Sequence, residues 1–230
     1  MPSSTTPGAK ALRSPLYVAF IADVVASRRI AGTARRTLQK RIGDTLDAVN
    51  QRFAGAIAAG FVITIGDEFQ GLLRSPEVIP DLLRLLEREL PDIQLRVGFG
   101  RGTLDTELRD TALGMDGPVW HRAREAIETA KAKDHLGGVF AGFRDDDDLT
   151  LNGLARLLYL VRSRLTAKQR LILDELLAGH TQMEVARRRR VSKQVVSKQA
   201  GVAGFEAYRE GDEALRALLK CSAPPLHSKK

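Results

Sequence analysis

Cysteine is nearly absent. The 230 residues hold one, Cys221, so the chain cannot form an internal disulfide or a cysteine-rich zinc site. That scarcity points to a reducing, cytoplasmic setting. Long apolar runs are also missing, since none approaches the ~20 residues needed to span a bilayer. The nearest thing to a leader peptide is the apolar stretch 16–22. Asp23 interrupts it and Arg28 and Arg29 follow, so it reads as a buried strand and no membrane partner is expected. An acidic excess is lacking too: the formal net charge is +8. What is present is a hydrophobic fraction of 43%, enough for a core, which excludes wholesale disorder.

The positive charge is uneven. Residues 163–230 hold fourteen Lys and Arg against seven Asp and Glu, whereas residues 1–162 are almost balanced. The split suggests two domains, the second facing an anionic partner. A solvated basic surface is the alternative.

Hydrophobic spacing outlines the elements. Residues 1–14, rich in Pro, Ser and Thr, read as a disordered tail. The run LYVAFIAD (16–23) reads as a central strand. Leu38, Ile42, Leu46, Val49 and Phe53 form one helical face. FVITI (61–65) and FQGLL (69–73), around a polar turn, predict a hairpin. Pro76 opens a second helix carrying Ile79, Leu82, Leu83, Leu86 and Leu90, and Pro91 ends it. A fourth strand follows at 94–102, with Leu95, Val97 and Phe99 inward. This order predicts an α+β, ferredoxin-like or palm-like βαββαβ sandwich over 15–144. A further helix starts at Pro118, and 137–143 reads as an edge strand. The four carboxylates at 145–148 suggest a boundary or a helix cap. Residues 145–164 then read as a linker and connecting helix, 165–220 as an all-α domain, and 221–230 as a basic tail.

Three carboxylates stand out. In the expected topology the end of strand one lies beside the start of strand three. That brings Asp23 toward Asp67 and Glu68. No cation is nearby in the local sequence, so a hard divalent cation such as Mg²⁺ or Mn²⁺ would neutralise the cluster. The same residues also fit a loop cap and ordinary turn chemistry.

IADVVAS (21–27), ITIGDEFQGLL (63–73) and LRVGFGRG (95–102) resemble the metal-binding strand, hairpin and following strand of class III and GGDEF-type nucleotide cyclases. Asp23 followed by Ser27 and Arg28, the GDEFQGLL hairpin (66–73) and the segment 116–128 resemble the SatD family of bacterial proteins still more closely. The resemblance implies metal binding by Asp23, Asp67 and Glu68 and nucleotide binding by Arg28 and Arg124. It also brings out departures. Ile63 stands where cyclases that make cyclic AMP carry a purine-selecting Lys, Trp120 replaces a helix Asn, and Ile65 replaces the first Gly of GGDEF. An Ile cannot donate a hydrogen bond to a base. The expectation is therefore a palm that senses a nucleotide or metal, or a relative with different chemistry.

Residues 165–200 resemble the helix-turn-helix of sigma-factor-like and response-regulator-like DNA-binding domains. Thr166 with Gln169 and Thr181 with Glu184 are capping-box pairs, and Ser192 caps a third helix. Val195, Val196 and Ala200 are then inward. Ser192, Lys193, Gln194, Ser197 and Lys198 take the opposite side, as a helix in a major groove requires. Arg187, Arg188 and Lys193 are candidates for the DNA backbone. Two positions depart from the motif. Arg189 stands where an aliphatic residue is usual, and Arg190 in the turn place usually given to Gly. The combined expectation is a homodimeric DNA-binding regulator whose palm binds a divalent metal, a nucleoside triphosphate or both. The rivals are a metal-dependent nucleotidyl transferase, and a scaffold with both sites vestigial.

Overall fold

A computed structural model describes residues 14–26, 32–143 and 145–221, without the side chains of 145–147 and 221. Arg28 and Ser27, and nearly all of the two expected tails, lie outside the described residues. Among the described residues five strands and eight α-helices follow one another. They are β1 (Tyr17–Val24), α1 (Gly32–Arg52), β2 (Ile57–Ile63), β3 (Phe69–Leu73), α2 (Ile79–Glu89), β4 (Leu95–Gly102), α3 (Pro118–Ala132) and β5 (Val139–Ala141). Then come α4 (Asp145–Ser163), α5 (Ala167–Leu177), α6 (Gln182–Arg189), α7 (Lys193–Val202) and α8 (Phe205–Cys221).

The sheet order is β2-β3-β1-β4-β5. β1 pairs antiparallel with both β3 and β4, as a βαββαβ chain requires, and β5 adds in parallel beside β4. Alternation along β1 divides its side chains between two layers. Val18, Phe20 and Ala22 join a core with α1 and α2, while Ala19 and Ile21 face α3.

Strand β4 explains how α3 sits so close. Gly98, Gly100 and Gly102 occupy alternate positions and therefore one face. A Cβ on Gly100 would lie 2.1 Å from the Ala123 nitrogen, and one on Gly98 2.4 Å from that of Ile127. Val119, Ala123 and Ile127, four apart on α3, are fully buried there. The helix backbone thus rests on a strand with no side chains under it. Opposite them, Val97 and Phe99 enter the other core.

Both outer strands are covered. Beyond β5, the Asn152 side chain accepts from Phe140 N–H at 2.8 Å and donates to Phe140 C=O at 2.9 Å. Beyond β2, the segment 103–117 bridges in parallel from Thr111 to Gly60. The Gln70 amide also donates to the Ala112 carbonyl.

Residues 145–164, expected to be a linker and connecting helix, hold α4. Leu151, Ala155 and Leu158 are buried in the same core as α1 and α2. Leu157 and Val161, on the other side of the helix, are 62% and 43% exposed. Charge also ties the C-terminal helices to α2. Arg84 lies 2.6 Å from both Asp81 and Asp212, and Arg216 lies 2.8 Å from the same two carboxylates. Arg162, only 6% exposed, pairs with Glu87 of α2 and Asp174 of α5.

Candidate functional site

The parity of β1 decides what Asp23 meets. Like Ala19 and Ile21, it points to the α3 side, where its cross-strand neighbour is Arg96. Lys131 of α3 reaches Asp23 Oδ2 at 3.4 Å and Glu128 at 3.0 Å. Asp23 Oδ1 is buried without a hydrogen-bond partner. Burial pushes the Asp23 carboxyl up from its ordinary range, against the pull of Lys131 and Arg96, and the Asp67 charge adds to the rise. Lys131 moves up as well, because Glu128 and Asp23 outweigh its own partial burial.

The turn between β2 and β3 brings the other two carboxylates. Gly66 has φ +68°, in the left-handed region that glycine adopts without strain. Its carbonyl accepts from the Gln39 amide at 2.9 Å, which anchors the turn to α1. Asp67 Oδ2 accepts from Val24 N–H at 3.2 Å. Glu68 turns to α3, where Arg124 grips it with two hydrogen bonds of 2.8 and 2.9 Å. Glu68 and the carboxylate of Glu128 raise the Arg124 pKa further.

Asp23 and Asp67 therefore come together electrostatically, and Asp67 also ties down the end of β1. Glu68 does not join them as a third member. Among the described residues no three Asp, Glu, His or Cys side chains form a group able to hold a metal ion. The cations absent from the local sequence come from α3: Arg124 and Lys131 stand seven residues apart, two turns on one face. That spacing was the available signal for Lys131. Arg35 of α1 also reaches the turn, within 3.1 Å of where a Gly66 Cβ would stand, and has no ion pair among the described residues. Of the departures from the cyclase pattern, Ile63 packs partly buried against the core and Trp120 is 8% exposed between α3 and the sheet. Ile65, at the tip of the turn, is 85% exposed.

The second set of residues lies on α6 and α7. Both capping boxes and the Ser192 cap form. Ile172, Leu176, Val185, Ala186, Val196 and Ala200 make a small core among α5, α6 and α7. Ser192, Lys193, Gln194, Ser197 and Lys198 are all exposed, as are Arg187 and Arg188. Arg187, Lys193 and Lys198 have no ion pair among the described residues, whereas Arg188 lies 2.9 Å from His180. Arg189 is held by two bonds to Glu175 of α5, at 3.1 and 3.2 Å, so a salt bridge replaces the usual aliphatic contact.

Arg190 adopts φ 54° and ψ 45°, the left-handed conformation its place in the turn demands. A side chain there costs about 1 kcal/mol. Arg190→Gly is expected to leave the fold unchanged and to stabilise it by up to that amount, read from the urea midpoint at constant slope.

The SatD family model matches residues 17–208, and the chain belongs to that family. No curated protein matches it significantly in sequence. Its structural neighbours are nucleotide cyclase domains. The monomeric guanylyl cyclase domain of the RhoGC fusion protein from the aquatic fungus Blastocladiella emersonii is 20% identical, with a TM-score of 0.39. That match covers 50% of this chain and 76% of the other. A bacterial light-regulated adenylyl cyclase is 12% identical, with a TM-score of 0.43 and coverages of 56% and 77%. The guanylate cyclase domain of RhGC from Catenaria anguillulae, in complex with GTP, is 20% identical, with a TM-score of 0.34 and coverages of 50% and 74%. Likeness of this degree carries no chemistry from those proteins to this chain. Among the described residues no helix is long and apolar enough to cross a membrane.

Proposed function

We propose that this SatD-family chain is a DNA-binding regulator that reads its site with α7 as the second helix of a helix-turn-helix. The observation that carries this reading is the exposed row of Ser192, Lys193, Gln194, Ser197 and Lys198. Its two lysines have no anionic partner among the described residues, and Arg187 and Arg188 lie beside it. Gln can pair an adenine edge, while Lys and Arg serve phosphates. The region around the row carries most of the net charge. Fluorescence anisotropy with fragments from beside the chain's own gene tests it at two salt concentrations. Gln194→Ala is expected to relax base preference. Lys198→Ala is expected to weaken all sequences alike and to flatten the log–log salt slope by about one unit. Unchanged binding in both variants would place the DNA contacts elsewhere.

A second reading, for the palm, rests on the buried and unpartnered oxygen of Asp23. Asp23 and Asp67 suit a hard divalent cation, since Mg²⁺ commonly takes one or two carboxylates and completes its shell with phosphates and water. Glu68 does not fit as a ligand while Arg124 holds it. Arg35, which has no ion pair among the described residues, is the cation beside the turn that suits the phosphates of a nucleoside triphosphate, and Arg124 would join it only on releasing Glu68. The chemistry this supports is nucleotide or metal sensing, with nucleotidyl transfer as the enzymatic alternative. Calorimetry with Mn²⁺ is expected to show binding that Asp67→Asn and Asp23→Asn each weaken, with circular dichroism unchanged. Equal affinity in all three proteins would remove the metal from this site.

A further inference from the structure

A cavity of about 350 Å³ lies away from both sites, between α2, β4, β5 and α4. Its body is apolar: Leu83, Leu86, Ile93, Val97, Phe140 and Leu158 contribute to the wall. Gly137 and Ala155 also line it, and Gly137 lets α4 approach closely, since a Cβ there would lie 2.6 Å from Tyr159 Cβ. One end is polar. There Glu87 receives both Arg162 and Arg170, and Tyr159 stands beside them. Arg162 uses all three of its nitrogens, because Asp174 accepts from the other two at 2.7 and 3.0 Å. Arg170 is not: one nitrogen meets Glu87, and its other donors have no partner among the described residues. The Tyr159 hydroxyl also lacks a hydrogen-bond partner among them. Burial and the Glu87 charge keep that hydroxyl protonated, so it remains a donor.

Ligand pockets typically measure roughly 300–1,000 Å³, with an apolar lining and a few polar groups that fix orientation. This cavity has that composition at the small end of the range. A larger depression of about 800 Å³ elsewhere does not: Asp81, Arg209, Asp212, Glu213 and Arg216 line it, and they already pair with one another.

We propose that the cavity between α2, the β4–β5 edge and α4 binds a small, flat, apolar molecule carrying one carboxylate. The carboxylate takes the spare donors of Arg170 and Tyr159, and the ring system lies against the apolar wall formed by Leu83, Leu86, Ile93 and Phe140. The site is independent of the metal and DNA readings. Its place matters because α4 and Arg170 of α5 join the sheet to the basic helices, so an occupant touches both parts of the chain.

The test is calorimetry on the full chain with two probes, 2-naphthoate and neutral 2-naphthol. Wild type is expected to bind naphthoate at one site. Leu83→Trp, which fills the cavity from α2, is expected to weaken both probes by about tenfold or more. Arg170→Met is expected to weaken naphthoate by a similar factor and leave naphthol nearly unchanged. If Leu83→Trp does not fold, Ala155→Leu fills the same space from α4. Absence of naphthoate binding at millimolar concentration would overturn the proposal. So would binding that a folded cavity-filling variant leaves unchanged. Equal losses of both probes in Arg170→Met would overturn the carboxylate assignment.

Discussion

Gly100→Val is expected to unfold the protein or to cost about 4 kcal/mol or more, a large share of a typical domain's stability. The reason is backbone against backbone. A Cβ at Gly100 would lie 2.1 Å from the Ala123 nitrogen and 2.4 Å from the Val119 carbonyl oxygen. Neither atom belongs to a side chain that can turn away. Relief requires α3 to lift from β4, which would expose Val119, Ala123 and Ile127 together. It would also carry Arg124 and Lys131 away from Glu68 and Asp23, so the candidate metal site should be lost with the fold. Gly43→Ala in α1 is the control. Nothing lies within 4 Å of its added methyl, and a gain of about 0.5–1 kcal/mol is expected from helix propensity. Thermal and urea unfolding of the two variants should diverge in opposite directions from wild type. A Gly100→Val protein as stable as wild type would show that α3 does not rest on the strand as described.

Asp212→Ala is expected to cost about 3–5 kcal/mol, because it strips one counter-ion from two arginines at once. Arg84 has a side-chain exposure of 11% and would keep only Asp81, which Arg216 shares. The double variant Arg84→Met, Asp212→Leu is expected to recover most of the loss, since no buried charge is then left unpaired. The network also sets an acid limit. Arg216 and Arg84 hold the Asp81 carboxyl below its ordinary value of 3.8, despite its burial. A depressed acid stabilises the native state above its unfolded pKa, and that contribution is lost as pH falls through the native value. Wild type should therefore lose stability below about pH 4 more steeply than Asp81→Asn. Parallel pH profiles would remove this carboxylate from the explanation.

The elements were legible in the sequence because their signals are local. The apolar run of β1, the alternation along β4, the 3–4 spacing of α1 and α2, and the caps at Thr166, Thr181 and Ser192 depend on residues within a few positions of each other. The strand order followed from the βαββαβ pattern, and with it the approach of Asp23 to Asp67. What was not legible joins distant parts of the chain. Glu68 and Arg124 are separated by 56 residues, and Arg84 and Asp212 by 128. No local pattern records such a pair. The same is true of α4, whose apolar residues exceed what one face can bury. Leu154, Leu157 and Leu158 are alike in the sequence, and only the docking surface decides that Leu158 is buried while Leu157 is exposed.

The covering of β2 and β5 has a consequence for the life of the protein in a crowded solution. An open outer strand offers a row of free N–H and C=O groups to any extended chain, including a second copy of itself. Here β5 is only three residues long, and Asn152 supplies both its hydrogen bonds at Phe140 like a strand one residue wide. The segment 103–117 does the same for β2 through Gly60, whose N–H and C=O are both taken by residues 110 and 112. Growth of the sheet from one molecule into the next is thus closed at these positions, and a change such as Asn152→Leu would reopen one of them.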